Sequence, residues 1–299
     1  MFGLQLQLVP INLREREKNM IKITSDTGSL YNIEGGKKIG VDIAPLNVTI
    51  AGKTYREFEE ISSKEFYDLI MEGNLPLSSQ PAMGEVLDIF EKYANEDVDV
   101  INICMADGLS GTYQTACAAK EQVSNSSRVH VINSRTLCGP ELFLVDLAVK
   151  MANEGKKLQE ILDKLNHCID NCVSFLMPQD FDYLKRNGRL TPIAATLGGL
   201  LKIQPIVTQT KDGTRLDKFG MGRTFTKAVE KIIKEMNVRK IDASHITYVS
   251  HAFAKTQADK AMEMLRKAFP SMELVMLELS PAFITQGGPH CIAIQSIIK

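Results

Sequence analysis

The sequence has no concentration of charge of either sign. Its 299 residues include 35 lysines and arginines against 36 aspartates and glutamates, so the formal net charge is −1 and the pI is near 6.5. No basic tract interrupts this balance. Proteins that bind nucleic acids usually carry a basic patch or stripe. The composition therefore gives no reason to expect a nucleic-acid partner.

Long apolar runs are also absent. No stretch approaches the ~20 apolar residues that a membrane-spanning helix needs, so we expect no transmembrane segment. Residues 1–19 hold a charged run, Arg14 to Lys18, where a secretory signal would have an apolar core. We predict a cytoplasmic protein that makes at most transient contact with a membrane, with residues 1–19 as an N-terminal extension.

The cysteines lack the spacing of a metal or redox site. None of the six occurs in a C-x-x-C pair. Cys168 and Cys172 are one helical turn apart and His167 is adjacent, but no second pair completes a tetrahedral set. We expect reduced thiols and neither a metal nor another cofactor.

The order of apolar runs predicts an α/β chain in two parts. In the first part, residues 20–155, predicted strands alternate with helices, a pattern typical of a sheet covered on both faces. Its predicted strands are 22–25, 45–50, 98–105 and 129–133, and its predicted helices are 63–72, 84–94, 113–123 and 140–154. The second part, residues 156–299, mixes the two kinds of element and indicates an α+β domain. We expect a ligand to lie between the two parts.

Residues 109–116 place a hydroxyl and a glycine where a predicted buried strand gives way to a helix. The apolar run 98–105 indicates the strand, and helical spacing starts at Thr112. Ser110 is then expected near the helix N-cap, where free N–H groups and the helix dipole favour an anion. The alternative is that Ser110 only caps its own helix.

A second hydroxyl pair, Ser78 and Ser79, comes before another amphipathic run. Residues 76–85 indicate a loop that leads into a helix. With Leu109 to Ala116, this segment resembles the DegV family, whose members carry Thr-Ser-Gln-Pro and, later, Leu-Ser-Gly-Thr-Tyr. Further segments resemble the family in the same order: 20–28, 45–50, 131–136, 183–190, 203–206 and 222–228.

The resemblance implies a two-domain DegV-like fold with a ligand tunnel between the domains. It also implies the fatty-acid-binding subunit of a bacterial fatty acid kinase, which takes no part in catalysis itself. Such a subunit holds a long-chain free fatty acid and presents its carboxylate to a separate kinase that forms acyl phosphate for phospholipid synthesis. By this resemblance Arg189 and Arg223 lie on the face that contacts the kinase. The alternative is that both arginines are ordinary surface groups.

A fatty acid needs neutral donors at its carboxylate and an apolar channel for its tail. We expect the hydroxyls of Ser78 and Ser110 to meet the carboxylate, with the N–H groups of Ser79 and Gly111 beside them. Gln286 stands where many family members have a histidine, and by this resemblance we expect it to contact the carboxylate from the C-terminal part of the chain.

A glycine-rich apolar run follows Arg189 and is the candidate tunnel wall. We predict that its members either line the tunnel or form ordinary core between the two parts, because apolar spacing does not separate these roles. The members considered are Leu190, Ile193, Ala194 and Leu197.

Two other function classes stay open at this point. A serine-dependent lipid or ester hydrolase would need a nucleophile elbow, but G-x-S-x-G is missing. A regulator that binds a phosphorylated ligand would fit the helix N-terminus, but neither a P-loop nor G-x-G-x-x-G supports it.

Overall fold

The structure is a computed structural model that describes residues 20–94, 96, 98–195 and 203–299. The strands are β1 Ile21–Asp26, β2 Val41–Ala44, β3 Asn47–Ile50, β4 Lys53–Arg56, β5 Leu77–Ser79, β6 Asp99–Cys104, β7 Val129–Asn133, β8 Cys172–Met177, β9 Gln204–Gln209, β10 Leu216–Gly222, β11 His245–His251, β12 Glu273–Glu278 and β13 Ile292–Ile298. The helices are α1 Ile33–Lys38, α2 Ser63–Met71, α3 Met83–Ala94, α4 Thr112–Lys120, α5 Gly139–Asn153, α6 Leu158–Asp170, α7 Phe181–Arg186, α8 Pro192–Ala195, α9 Phe225–Val238, α10 Lys255–Ala268 and α11 Pro281–Gly287.

A parallel sheet in the order β2-β1-β6-β7 forms the first part of the fold. Each strand contributes buried apolar side chains, such as Ile23 of β1 and Val100 of β6, as expected for a sheet that is covered on both faces. Helices α3 and α4 cover one face, where Phe90, Val100 and Ala116 pack together. Helices α5 and α6 cover the other face through contacts such as Ile103 with Leu144. This arrangement confirms the predicted sheet with helices on both faces.

A mixed sheet in the order β10-β9-β8-β13-β11-β12 forms the second part. Helices α9 and α10 pack on its outer face around Ile232, Leu265 and Ile294. Its inner face presents Tyr248 and Ile297 to α5 and α6. These two helices therefore lie between the sheets, and one apolar core joins both. The predicted boundary between the two domains, at residue 155, falls between α5 and α6. The division into these two domains stays a prediction.

A small antiparallel sheet, β4-β3-β5, closes the side of the molecule near the carboxyl end of β1. Its inner residues Val48 and Ile50 pack with Phe66 of α2 and Ile284 of α11. Strand β5 carries Ser78 and Ser79, paired with Val48 and Asn47 of β3. The expectation of a plain loop there was wrong. The backbone pairing with β3 holds both serines in an extended strand.

Helices α2 and α5 and strand β7 lie within one residue of their predicted positions. The elements without a prediction are β2, β4, β5, β10, α1, α7, α8 and α11. All of them have seven residues or fewer, and apolar periodicity is weak in such short segments.

Candidate functional site

The candidate site lies at the carboxyl ends of β1 and β6. The chain runs from β1 to β2 on one side of the sheet and returns to β6 on the other. Such a reversal of strand order leaves a crevice between the two loops that follow the strands, and α/β proteins bind ligands in this crevice. The loop after β6 contains Met105, Leu109 and Ser110. The topology therefore brings Ser110 to the place where a ligand is expected.

Most of the serines and polar groups predicted from the sequence meet in one cavity, which we call the mouth. It holds about 330 Å³ of space and is lined by Ser78, Ser79, Gln80, Ser110, Arg189 and Gln286, together with apolar neighbours. These residues come from β5, the loop after β6, the segment after α7, and α11. The structure thus brings together four elements that are far apart in the sequence.

Gln286 is joined directly to the first serine of the mouth. Its Nε2 donates a hydrogen bond of 2.9 Å to Ser78 Oγ. Because Ser78 accepts this bond, its own hydroxyl proton is available to an acceptor inside the mouth. The Gln286 amide therefore orients the Ser78 hydroxyl. The histidine that many family members have at this position did not predict this role.

Ser110 and Gly111 form the start of α4. Gly111 is the N-cap, and Ser110 Oγ lies one residue earlier, where it accepts from the Thr112 N–H at 3.3 Å. Ser110 Oγ also lies 2.8 Å from Thr112 Oγ1. A Cβ added to Gly111 would lie 3.1 Å from the side chain of Gln80. The glycine therefore allows the two serine segments to approach closely.

Arg189 lies at the mouth and is half-buried. Its Nε donates to the Leu109 carbonyl at 3.1 Å, and Nη1 donates to the Asn187 carbonyl. Burial and the neighbouring charge of Arg215 lower its pKa, yet a guanidinium stays protonated at neutral pH. Among the described residues, no carboxylate forms an ion pair with it. The mouth therefore holds an unneutralised positive charge.

A larger apolar cavity continues inward from the mouth. It contains about 730 Å³ of space free of protein atoms, opening included. Both parts of the chain contribute to its wall, which includes Met105, Leu137, Leu176, Leu184, Val207 and Phe283. We call this space the tail cavity. Its wall was not predicted, because its residues come from many separate elements.

The three predicted tunnel-lining residues that the structure describes, Leu190, Ile193 and Ala194, do not themselves line the tail cavity. Leu190 and Ala194 are buried and pack behind Leu184 and Val207, which do line it. Ile193 is 69% exposed, because the short helix α8 turns Ala194 inward and Ile193 outward. Leu197 lies outside the described residues.

Arg223 is not one of the residues that line the mouth. It is exposed and follows the last residue of β10, directly before Thr224, the N-cap of α9. It lines neither the mouth nor the tail cavity. Arg189 and Arg223 therefore have different surroundings, although the sequence resemblance gives them one role.

Three buried acids behind the mouth were not singled out from the sequence. Asp26 accepts from the Gly28 and Met105 N–H groups at 2.7 and 3.1 Å. Glu57 accepts from the Ala282 N–H at 2.9 Å and from the Thr27 hydroxyl. Burial raises the pKa of Asp26 and of Glu57 to about 7, and burial beside Asp26 raises the pKa of Glu141 well above its ordinary value. We call Asp26, Glu57 and Glu141 the acid cluster.

The described residues include neither a membrane-spanning helix nor a metal-binding cluster. None of their helices is long and apolar enough to cross a membrane. Likewise, within the described ranges, no three histidine, cysteine, aspartate or glutamate side chains are placed to hold a metal ion.

Comparison with known proteins gives the family. The model of the DegV family, described as an uncharacterised protein family, matches residues 20–299. A DegV domain-containing protein of Listeria innocua is 30% identical over 93% of this chain and 99% of its own length. One of Caldanaerobacter subterraneus is 34% identical over 75% of this chain and 79% of its own length. The chain belongs to the DegV family.

Solved structures of the family share the fold. The DegV protein of Bacillus subtilis, described as a fatty acid binding protein, superposes with a TM-score of 0.82 at 26% identity, covering 94% of this chain and 100% of that chain. A DegV family protein of Thermus thermophilus, described by its fatty acid binding, gives a TM-score of 0.85 at 25% identity, with coverage of 94% and 100%.

Proposed function

We propose that this chain binds a long-chain fatty acid, with the carboxylate in the mouth and the alkyl chain in the tail cavity. One observation carries the proposal: the two cavities share Met105, Leu109, Arg189, Phe283 and Gln286 in their walls. A polar opening therefore leads directly into an apolar space. The two related proteins of Bacillus and Thermus, which are described as fatty acid binders, support the same ligand class.

The mouth suits a carboxylate because it offers donors and one positive charge. The Ser78 hydroxyl is oriented by Gln286, and the Ser110 hydroxyl lies at the start of α4. Hydrogen bonds from neutral donors to a charged oxygen are stronger than those between neutral groups. The positive charge of Arg189 adds electrostatic attraction for the carboxylate at the mouth. The alkyl chain gains about 0.8 kcal/mol for each methylene that it buries.

We further propose that the bound carboxylate is presented to the catalytic subunit of a fatty acid kinase. The mouth opens beside a cleft of about 560 Å³ that is lined by Ser110, Gly111, Arg189 and Arg215 among others. A phosphoryl donor held by a partner protein would reach the carboxylate from this side. Arg223 is exposed and, in this proposal, contributes to the partner surface.

The test is to identify and replace the bound lipid. Protein purified from a bacterial host is extracted and the extract analysed by mass spectrometry, and stripped protein is offered a labelled long-chain fatty acid. We expect a long-chain fatty acid at about one per chain and saturable uptake. Lipid-free protein that also takes up no labelled fatty acid would refute the proposal.

The same protein is assayed alone for ester hydrolysis. A turnover that disappears in Ser110→Ala would favour a serine hydrolase instead. No turnover by the chain alone, together with acyl phosphate formation when the cognate kinase and ATP are added, is the outcome that the proposal expects.

A further inference from the structure

The wall of the tail cavity includes a polar side chain, Gln295, that lies away from the mouth. Along β13, Cys291, Ala293 and Gln295 alternate with residues of the outer core and line the cavity. Ala293 pairs with Leu176 of β8, and Gln295 pairs with Ser174. Cys291 lies against Gly287, next to Gln286 of the mouth. Four extended residue-to-residue steps lead from Cys291 to Gln295, or roughly 13 Å, so Gln295 lies far from the mouth.

The donor side of the Gln295 amide is fully used. Its Nε2 donates to the Leu137 carbonyl at 3.0 Å and to Ser174 Oγ at 3.1 Å. A carbonyl oxygen can only accept, so the contact with Leu137 fixes which end of the amide faces it. The orientation of the amide therefore does not depend on the ligand.

The acceptor side of the same amide is unused. Gln295 is 1% exposed, and its Oε1 is buried without a hydrogen-bond partner among the residues that the structure describes. Thr208 and Gln209, which also line the cavity, donate to the carbonyls of Ser174 and Arg135. Buried acceptors in proteins are nearly always paired. A plain alkyl chain has no donor, so it would leave Oε1 unpaired.

We propose that Gln295 Oε1 accepts a hydrogen bond from a hydroxyl group in the middle part of the bound acyl chain. The ligand class then includes long-chain fatty acids hydroxylated at mid-chain. This inference rests on the proposed function, because it needs the carboxylate in the mouth and the tail along β13. A hydroxyl next to the carboxylate could not reach Gln295 across the separation given above.

The experiment compares three ligands on one protein: stearic acid, a stearic acid hydroxylated at mid-chain, and its isomer hydroxylated next to the carboxyl group. Dissociation constants are measured by competition against a labelled fatty acid. We expect the mid-chain isomer to bind about tenfold more tightly than the isomer hydroxylated beside the carboxyl group, the scale of one buried hydrogen bond. This comparison uses the unaltered protein, so it does not depend on a variant that folds.

Two variants then test whether Gln295 causes the preference for the mid-chain isomer. Gln295→Leu removes the acceptor and should reduce the preference for the mid-chain isomer about tenfold, while stearic acid still binds. Gln204→Leu, which changes another amide of the same sheet that lines neither the mouth nor the tail cavity, is the control and should keep the preference. Equal affinity of the unaltered protein for all three ligands would overturn the inference, and a water molecule in the cavity would then be the partner of Oε1. Failure of all three ligands to bind would instead refute the proposed function.

Discussion

The mouth and the acid cluster are two polar regions that share structural elements but differ in how their polar groups are used. Helix α11 contributes Gln286 to the mouth and the Ala282 N–H to Glu57 of the acid cluster. The loop after β6 contributes Ser110 to the mouth and the Met105 N–H to Asp26. In the mouth, among the described residues, the hydroxyl proton of Ser78 has no acceptor and the charge of Arg189 has no carboxylate beside it. In the acid cluster, Asp26 and Glu57 accept hydrogen bonds from the protein itself.

This difference separates binding from folding. Groups with unused hydrogen-bonding capacity stabilise the protein only when a ligand supplies the missing partner. The buried acids instead hold the loops that carry the mouth, since Glu57 connects α11 to Thr27 and Thr27 in turn accepts from the Leu46 N–H at 3.0 Å. Changes in the mouth should therefore alter affinity, and changes in the acid cluster should alter stability.

Ser110→Ala should give the largest effect, and it should be on affinity. Loss of a hydrogen bond to a charged group weakens binding by roughly 1.5–3 kcal/mol, or about tenfold to 150-fold. The melting temperature of the ligand-free protein should change little. Titration with a labelled fatty acid measures the first quantity and thermal unfolding the second. Ser127→Ala, in a surface turn before β7, is the control. A large loss of stability with unchanged affinity would reverse the assignment of Ser110.

Gly28→Ala should give the next largest effect, and it should be on stability. A Cβ at this position would lie 2.5 Å from Asp26 Oδ1, 2.8 Å from Glu141 Oε2 and 2.9 Å from Met105 Cβ. Overpacking of this kind costs about 1–3 kcal/mol. Denaturant unfolding measures this loss of stability. Gly84→Ala is the matched control, because nothing lies within 4 Å of an added Cβ there. Equal stability of the two variants would show that the acid cluster is not tightly packed.

Glu57→Gln should change how stability depends on pH. The pKa of Glu57 is raised from 4.5 to about 7 in the folded protein, so the folded state binds the proton more tightly and stability falls as pH rises between these values. Glutamine does not titrate. As the pH rises from 5 to 8, the free energy of unfolding of the variant should increase relative to that of the unaltered protein by on the order of 1 kcal/mol.

Unfolding curves at the two pH values provide this measurement. Glu72→Gln, at an exposed position, is measured in parallel to correct for the loss of one negative charge. Parallel pH profiles for Glu57→Gln and the unaltered protein would contradict burial as the cause of the shift.

Arg223→Ala should have the smallest effect on both regions. Its side chain is exposed and lines neither cavity, so fatty-acid affinity should stay within about twofold, since surface substitutions usually change free energies by less than about 0.5 kcal/mol. Acyl phosphate formation with the cognate kinase and ATP should fall. If affinity collapses while the kinase reaction with saturating fatty acid is unchanged, the assignment of Arg223 to the partner surface is wrong.

Sequence patterns predicted the parts of this molecule that depend on local spacing. Apolar periodicity located α2, α5 and β7, and the serine motifs predicted that Ser78 and Ser110 belong together. The rest depends on contacts between distant segments. Glu57 and Asp26 are 31 positions apart, and nothing in their neighbours along the chain indicates that both are buried. Gln295 lies in an apolar strand where an amide has no local signature, and only the register with Ser174 shows that it faces the cavity.

The helical layer formed by α5 and α6 determines how the molecule can come apart. Gly139 begins α5 so close to Tyr248 of the other sheet that an added Cβ would lie 2.1 Å from its ring. The same helix packs on β1, β6, β11 and β13. A chain whose two sheets share one helical layer has no plane of weak contact along which it could divide. Heating should therefore melt both sheets in a single cooperative transition, and a protease cut near Gly155 should leave two fragments that stay associated.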